Sequence, residues 1–557
     1  MMSESYDVGD LVAEFLQACG VRTAYGVISI HNIPMLDGIG RRNAIRFVPG
    51  RGEAGAGHMA DAHARVDGGL GVLVSSTGPG AANATGALVE ARFAGTPLLH
   101  LTGQTATAYL DREQGAVHDV PDQLGMLKSV SKTAHRIESA EAAFATLSQA
   151  AAEALTPPMG PVSVEIPIDI QRTAILRPAA LDDLELPIPK APRPDPGDLD
   201  RVAEILASAR RPILWCGSGA RGAGREVARL AELGLPIVTS WHGRGVLPED
   251  HPLTLGALNG NGTPLVEAFY DSVDLMLVAG SRLRGHETRD LTLRLPERRI
   301  QIDVDPGANG RTYDCEMFLC ADAALALDGL ADRLDGGLDV EPGYADEIAA
   351  LRRDSLAAYA EMLGPYAAFP EALRAALPRD GVFVRDITLN NSTWGHRLFP
   401  IFGARDSVYP VGAAIGPGLP LGIGAALAAG DGRKAVAMCG DGGFHLSLAE
   451  LPTAVQEGAE VVFLVMNDGG YGVIGHIQDA LYDGRHYFGD VRGPSLETMA
   501  AASGLPYWKV TAADGLGPAM EKALAVAGPA LVEVDMTAIG PFPRYFAPPP
   551  YTAEKDD

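Results

Sequence analysis

Gly440-Asp441-Gly442, followed after a strand-length gap by Asn467-Asp468, constrains the fold of this chain more than any other feature. An apolar run at 435–439 stops at a carboxylate flanked by glycines. A helix-like segment covers about 447–457, and a second apolar run at 461–466 stops at Asn467-Asp468. Strand, helix and strand with polar groups at both carboxyl ends describe a parallel crossover unit, and open parallel sheets bind ligands at that edge. Two hard carboxylates there suit Mg²⁺, which prefers carboxylates and phosphate oxygens. The Gly442-Gly443 pair lets backbone N–H groups approach a diphosphate closely.

At 557 residues the chain is too long for one core and predicts about three domains. Its apolar content of 47% and charged content of 21% are those of a globular protein. A net charge of −25 argues against a nucleic-acid partner, because phosphate backbones are met by clustered Lys and Arg. It leaves an anionic cofactor open, since a cofactor senses local charge. Five cysteines (Cys19, Cys216, Cys315, Cys320 and Cys439) with no C-x-x-C favour a reducing compartment and buried thiols. The acidic, polar start has no apolar signal core, and no run approaches a membrane span. A cytoplasmic location with no membrane partner is expected.

Strands alternate with helical segments in three blocks, which predicts an α/β protein with a doubly wound parallel sheet in each. The blocks are expected at residues 1–176, 198–335 and 346–540. The first linker, 177–197, is rich in proline and charge, and a glycine-bearing break follows at 336–345. The proline-rich tail, 541–557, cannot continue a helix or a central strand.

In the first block Glu53 opens a stretch of small residues, Arg51-Gly-Glu-Ala-Gly-Ala-Gly-His-Met-Ala-Asp-Ala-His-Ala-Arg65. Small neighbours allow the carboxylate to be buried, which suits sharing a proton with a ring nitrogen. His58 and His63 are expected to face local packing. Ser75-Ser-Thr-Gly-Pro-Gly-Ala-Ala-Asn83 joins a strand to a helix, so Gly78 and Asn83 lie where backbone N–H groups can face a ligand. The third block adds Val411-Gly-Ala-Ala-Ile-Gly-Pro-Gly-Leu-Pro-Leu-Gly-Ile-Gly-Ala and, after a strand at 382–384, Asp386-Ile-Thr-Leu-Asn390. Without further context the first of these is a Gly-rich helix packed in a core.

Together these blocks resemble the thiamine-diphosphate (ThDP) enzymes, in the family's order across nearly the whole chain: pyrimidine-binding, central, diphosphate-binding. The match is to the acetolactate synthase and 2-oxo acid decarboxylase branch. By that resemblance Asp441, the Asp468 side chain and the Gly470 carbonyl bind Mg²⁺, with Gly440, Gly442, Gly443, Thr388, Asn390 and Tyr471 around the diphosphate. Glu53 bonds the pyrimidine ring, the Ala413 carbonyl accepts from its amino group, and Ile415 wedges the two cofactor rings into a bent shape. Gly52, Ala62 and His63 stand where the family usually has His, Gly and Tyr. The resemblance also implies that Glu53 of one subunit meets Asp441 and Asp468 of another, hence a homodimer or homotetramer.

His31 resembles the position of an active-site histidine in benzaldehyde lyase-like enzymes. His118 occupies the place where acetolactate synthases carry Phe-Gln-Glu. An imidazole there can relay protons or bond a substrate carbonyl; Gln114 is a lesser candidate. Gly217-Ser-Gly-Ala-Arg-Gly222 is a literal G-x-G-x-x-G, yet no acidic residue closes the next strand, so an NAD site is not supported. FAD or a nucleotide in the central block, near Arg282, Arg284 and Arg289, remains the less favoured reading, and the Arg-Phe-Asp-Asp-Arg pattern of flavin-bearing synthases is absent.

The expectation is a ThDP- and Mg²⁺-dependent enzyme acting on a small 2-oxo acid, by decarboxylation or by carboligation to a 2-hydroxy ketone. The alternative is a C–C lyase acting on a 2-hydroxyacyl-CoA or a hydroxy ketone. A dehydrogenase on Gly217–Gly222 and a silent regulatory subunit are weaker rivals.

Overall fold

Continuous apolar runs buried on both faces form the inner strands, the pattern of parallel sheets covered by helices on either side. The computed structural model describes residues 6–430 and 432–543. It contains three six-stranded sheets in which every ladder is parallel. The first holds β1 (Thr23–Gly26), β2 (Arg46–Pro49), β3 (Gly71–Ser75), β4 (Leu98–Gln104), β5 (Thr133–Arg136) and β6 (Pro161–Pro167), in the order β2-β1-β3-β4-β6-β5. The central sheet holds β7 (Pro212–Cys216), β8 (Ile237–Thr239), β9 (Thr254–Gly256), β10 (Leu275–Ala279), β11 (Arg299–Asp303) and β12 (Met317–Cys320), ordered β12-β11-β10-β7-β8-β9. The third holds β13 (Val382–Arg385), β14 (Ser407–Val408), β15 (Ala435–Gly440), β16 (Val461–Asn467), β17 (Tyr507–Val510) and β18 (Ala530–Asp535), ordered β14-β13-β15-β16-β18-β17.

The first and third sheets therefore share one topology. Each sheet reverses direction beside its first strand, leaving a crevice at the carboxyl ends of β1 and β3, of β7 and β10, and of β13 and β15. The motifs singled out in the sequence fall at or beside these three points.

The first and third domains share one core, in which helix Glu53–Asp67 packs along helix Gly418–Ala429. Their backbones touch at Gly424, where a Cβ would lie 2.1 Å from the Met59 carbonyl oxygen. Gly424→Ala would drive the two helices apart. It is expected to cost about 1–3 kcal/mol, read as a lowered thermal midpoint at fixed scan rate.

Two local features differ from the sequence reading. The segment after β15 is not one helix from Ser447. It is helix Asp441–Leu446, a tight turn at Leu448–Glu450 and helix Leu451–Glu457. The Ser447 hydroxyl donates to the Gly416 carbonyl at 2.7 Å, and Pro452 opens the second helix, so the chain turns between them. Helix Tyr344–Glu361 begins within the stretch read as a break and buries Tyr344 and Ile348 in the central core. At the far end Phe542 packs on Tyr366 in the third core; from Arg544 onward the expected tail lies outside the described residues. Among the described residues no helix is long and apolar enough to cross a membrane.

Candidate active site

Asp441 directly follows β15 and Asp468 directly follows β16, so the parallel register delivers both carboxylates to one edge. The Asp468 N–H donates to Asp441 Oδ1 at 3.2 Å. Burial raises the Asp441 pKa; burial and then the Asp441 charge push Asp468 up to about 7. Facing carboxylates with little water hold a proton between them, or a divalent cation in its place. The Gly470 carbonyl faces the same turn: a Cβ on Gly442 would lie 2.7 Å from its oxygen. Two carboxylates and a carbonyl, without His or Cys, fit Mg²⁺ that keeps positions open for phosphate oxygens and water. Among the described residues no cluster of three or more His, Cys, Asp or Glu forms an all-protein cage.

Beside this pair lies a cavity of about 420 Å³. Its walls include Thr388, Asn390, Ala413, Ile415, Gly440, Gly443, Asp468, Gly470 and Tyr471, so most of the third-domain residues expected around the cofactor meet at one place. Thr388 Oγ1 accepts from the Asn391 N–H at 3.0 Å, and Asn390 Oδ1 accepts from the Trp394 indole at 2.7 Å, which fixes that wall. Ile415 is 43% exposed, an apolar side chain presented to the cavity. Ala413 adopts φ +67°, a left-handed conformation that an alanine holds only under constraint. Part of the constraint is Asp386, fully buried after β13, whose carboxylate accepts from the N–H groups of Gly416 at 3.0 Å and Gly418 at 3.2 Å. Burial pushes its pKa up to about 6 against those bonds. The sequence places this segment after a strand and carries no sign of the anchoring role.

A second group gathers at the crevice of the first sheet. Glu53 begins its helix and is 8% exposed, and Asn83 Nδ2 donates to Glu53 Oε2 at 3.2 Å. The Gly78 N–H donates to Gln123 Oε1 at 2.7 Å, and Gln123 in turn donates to buried Glu165 at 2.9 Å. Gln123 was missed because Gly78 and Glu165 each lie more than forty residues from it. The His31 and His118 rings are 5.2 Å apart. Burial, then the neighbouring His118, lowers the His31 pKa, and its Nδ1 has no hydrogen-bond partner. His118 Nδ1 lies 3.4 Å from the Ser76 hydroxyl. His58 and His63 are buried, His63 against the Tyr25 hydroxyl at 2.8 Å, and Gln114 is exposed. None of these first-domain residues lines the third-domain cavity of the same chain.

A further cavity, of about 470 Å³, occupies the crevice of the central sheet and reaches the first domain. Ser218, Gly219 and Gly222 line it with Arg282, Arg284 and Asp303. Burial, with Arg65 and Arg405 nearby, lowers the Arg221 pKa to about 10. No acidic residue closes β8, and the carboxylates on this cavity's wall come from elsewhere, Asp303 at the end of β11 among them.

Comparison with known proteins matches all three domains. The model for the thiamine pyrophosphate enzyme N-terminal TPP-binding domain matches residues 6–126, the central-domain model residues 199–330, and the C-terminal TPP-binding-domain model residues 390–534. A protein of Pseudomonas aeruginosa described as a probable 2-ketoarginine decarboxylase is 32% identical over 475 residues, covering 84% of this chain and 83% of its own. A probable chloroplastic acetolactate synthase of Oryza sativa subsp. japonica is 28% identical over 94% of this chain and 82% of its own. The large subunit of acetolactate synthase isozyme 1 of Escherichia coli is 26% identical over 95% of this chain and 94% of its own. With three matched domains, and a cofactor-sized cavity beside paired carboxylates, the chain belongs to the thiamine-diphosphate-dependent enzymes, in the branch of acetolactate synthases and 2-oxo acid decarboxylases.

Proposed function

We propose that this protein is a Mg²⁺-dependent ThDP enzyme that removes CO₂ from a small 2-oxo acid. The remaining fragment is released as an aldehyde or joined to a second carbonyl as a 2-hydroxy ketone. The observation that carries this reading is the facing pair of buried Asp441 and half-buried Asp468, at adjacent strand ends beside a cavity walled by Ala413 and Ile415. In it Asp441, Asp468 and the Gly470 carbonyl hold the metal. Gly440, Gly442, Gly443, Thr388, Asn390 and Tyr471 receive the diphosphate. When bound, the cofactor supplies a carbon nucleophile and an electron sink. The chain supplies position and proton control: Ile415 shapes the bound cofactor, and the Ala413 carbonyl accepts from its amino group. Glu53, supported by Asn83, holds a proton opposite a ring nitrogen, while Gly78 borders that side. His31 and His118 face the substrate.

Glu53 is absent from the cavity wall of its own chain, so this reading has a second copy deliver it. Exposed apolar side chains mark both faces: Ile28, Ile30 and Val117 on the first domain, Ile415, Leu446 and Ile474 on the third. Co-expression of Glu53→Gln with Asp441→Ala tests the arrangement. Each variant alone is expected to be inactive, whereas mixed dimers regain one intact site and restore about a quarter of the activity. No recovery would place Glu53 and Asp441 of one chain in the same site.

A second reading, C–C cleavage of a 2-hydroxyacyl-CoA or hydroxy ketone, is favoured by the unpartnered Nδ1 of His31 and by the arginines of the central cavity. That cavity is also where FAD or another nucleotide would bind. Mass spectrometry of ligands released by gentle denaturation separates these cases. ThDP without a dinucleotide supports the main reading. A CoA species supports the lyase, and FAD the flavin-bearing synthases. A panel of 2-oxo acids scored for CO₂ then tests the reaction. It includes 2-ketoarginine, named for the 32% identical relative.

A further inference from the structure

Two buried carboxylates are exchanged between the first and third domains of one chain. Glu90, on helix Thr85–Ala94, reaches the loop that carries Ala413: Gly412 N–H donates to Glu90 Oε2 and Ala414 N–H to Oε1, each at 2.8 Å. Glu450, in the turn after the metal motif, reaches the other way. Its Oε1 accepts from the N–H groups of Arg51 at 3.0 Å and Gly52 at 3.1 Å, and its Oε2 from the Thr453 hydroxyl at 2.6 Å. Both are buried, Glu90 at 3% exposure and Glu450 at 3%. Both approaches depend on glycine. A Cβ on Gly412 would lie 2.8 Å from Glu90 Oε1, and one on Gly55 would lie 2.3 Å from Glu450 Oε1.

We propose that Glu90 and Glu450 are positioning residues, which aim the Ala413 carbonyl and set the start of the Glu53 helix. Peptide geometry links Glu90 to the Ala413 carbonyl. In a trans peptide the C=O of one residue points opposite to the N–H of the next. With the Ala414 N–H drawn onto Glu90, the Ala413 carbonyl must point away from Glu90, and Ala413 lines the cavity. The same bond holds the left-handed Ala413, which would otherwise relax. For Glu450, the two N–H groups it binds belong to the two residues immediately before Glu53, where Gly52 has no side chain to cap the helix. Each element facing the cofactor is thus held by the domain that does not contain it. Because Glu53 and Ala413 of one chain serve different sites in the proposed dimer, the clamps join the two sites through each subunit. This inference rests on the ThDP reading above.

The two clamps differ in how they tolerate an amide, and that difference is the test. Gln at 90 offers one acceptor for two N–H donors and turns an NH₂ toward the other. Gln at 450 keeps Oε1 for both N–H groups and turns its NH₂ to the Thr453 hydroxyl, which can accept. Glu90→Gln is therefore expected to weaken ThDP binding about tenfold. Glu450→Ala is expected to slow hydrogen–deuterium exchange at C2 of bound ThDP about tenfold, with ThDP affinity within about threefold and a smaller slowing in Glu450→Gln. In the cofactor-free chain, amide exchange should rise about tenfold at residues 412–414 in Glu90→Gln and at 51–53 in Glu450→Ala. Glu90→Gln and Glu450→Gln are nearly isosteric, and if Glu450→Ala does not fold, Glu450→Gln carries the test at that residue. Variants that match the wild type in affinity, C2 exchange and amide exchange overturn the clamps. Equal effects of Gln and Ala at 450 overturn the hydrogen-bond account of that residue. A wild-type chain that binds no ThDP removes the reading of the site itself, and the clamps' role with it.

Discussion

Asp441→Ala is expected to lower Mg²⁺-dependent affinity for ThDP by about a hundredfold or more, equivalent to about 2.8 kcal/mol. In the proposed site the substitution removes one of two charged oxygen ligands and leaves Asp468 as the one carboxylate facing a doubly charged ion. It also removes the acceptor of the Asp468 N–H, so the remaining ligand loses part of its support. Titrating ThDP at fixed Mg²⁺, and Mg²⁺ at fixed ThDP, separates the two losses. Affinity should recover only in part at high Mg²⁺, because the missing ligand is replaced by water. An unchanged ThDP affinity would end the metal assignment for both aspartates.

Glu53→Gln is expected to leave the cofactor bound while slowing hydrogen–deuterium exchange at its C2 by about 10²–10⁴. Gln can still accept from Asn83 Nδ2, so the local packing at this nearly buried position should persist. What disappears is a carboxylate able to hold a proton opposite a ring nitrogen. The comparison of binding with exchange is informative because the two variants should divide cleanly: Asp441→Ala acts on affinity, and Glu53→Gln on proton transfer. Normal exchange at C2 in Glu53→Gln would remove this residue from the chemistry.

Much of the architecture was legible because parallel sheets write themselves into the chain as short apolar runs. The runs at 382–384, 435–439 and 461–466 each fall one residue short of their strands. Asp441 and Asp468 were legible for the same reason, since each stands just past such a run. The helix after β15 was misread because its break depends on the Ser447 bond to Gly416, a residue distant in sequence. The start of helix Tyr344–Glu361 was misread because two glycine-rich stretches look alike until one is seen packing Tyr344 on the central core.

By itself the sequence determined the class of fold, the order of the domains and the pair of carboxylates at adjacent strand ends, because those depend on local periodicity and on residue type at strand ends. Only the tertiary structure decided what holds that chemistry in place. Asp386 under the Ile415 loop, Gln123 behind Gly78, Glu90 on Gly412 and Ala414, and Glu450 on Arg51 and Gly52 are all long-range bonds between a side chain and a backbone. Such bonds leave no periodic trace, because a backbone N–H is present at nearly every position and the carboxylate that finds it is chosen by packing. Gly424 against Met59 follows the same rule: the need for glycine is set by a neighbouring helix more than three hundred residues away.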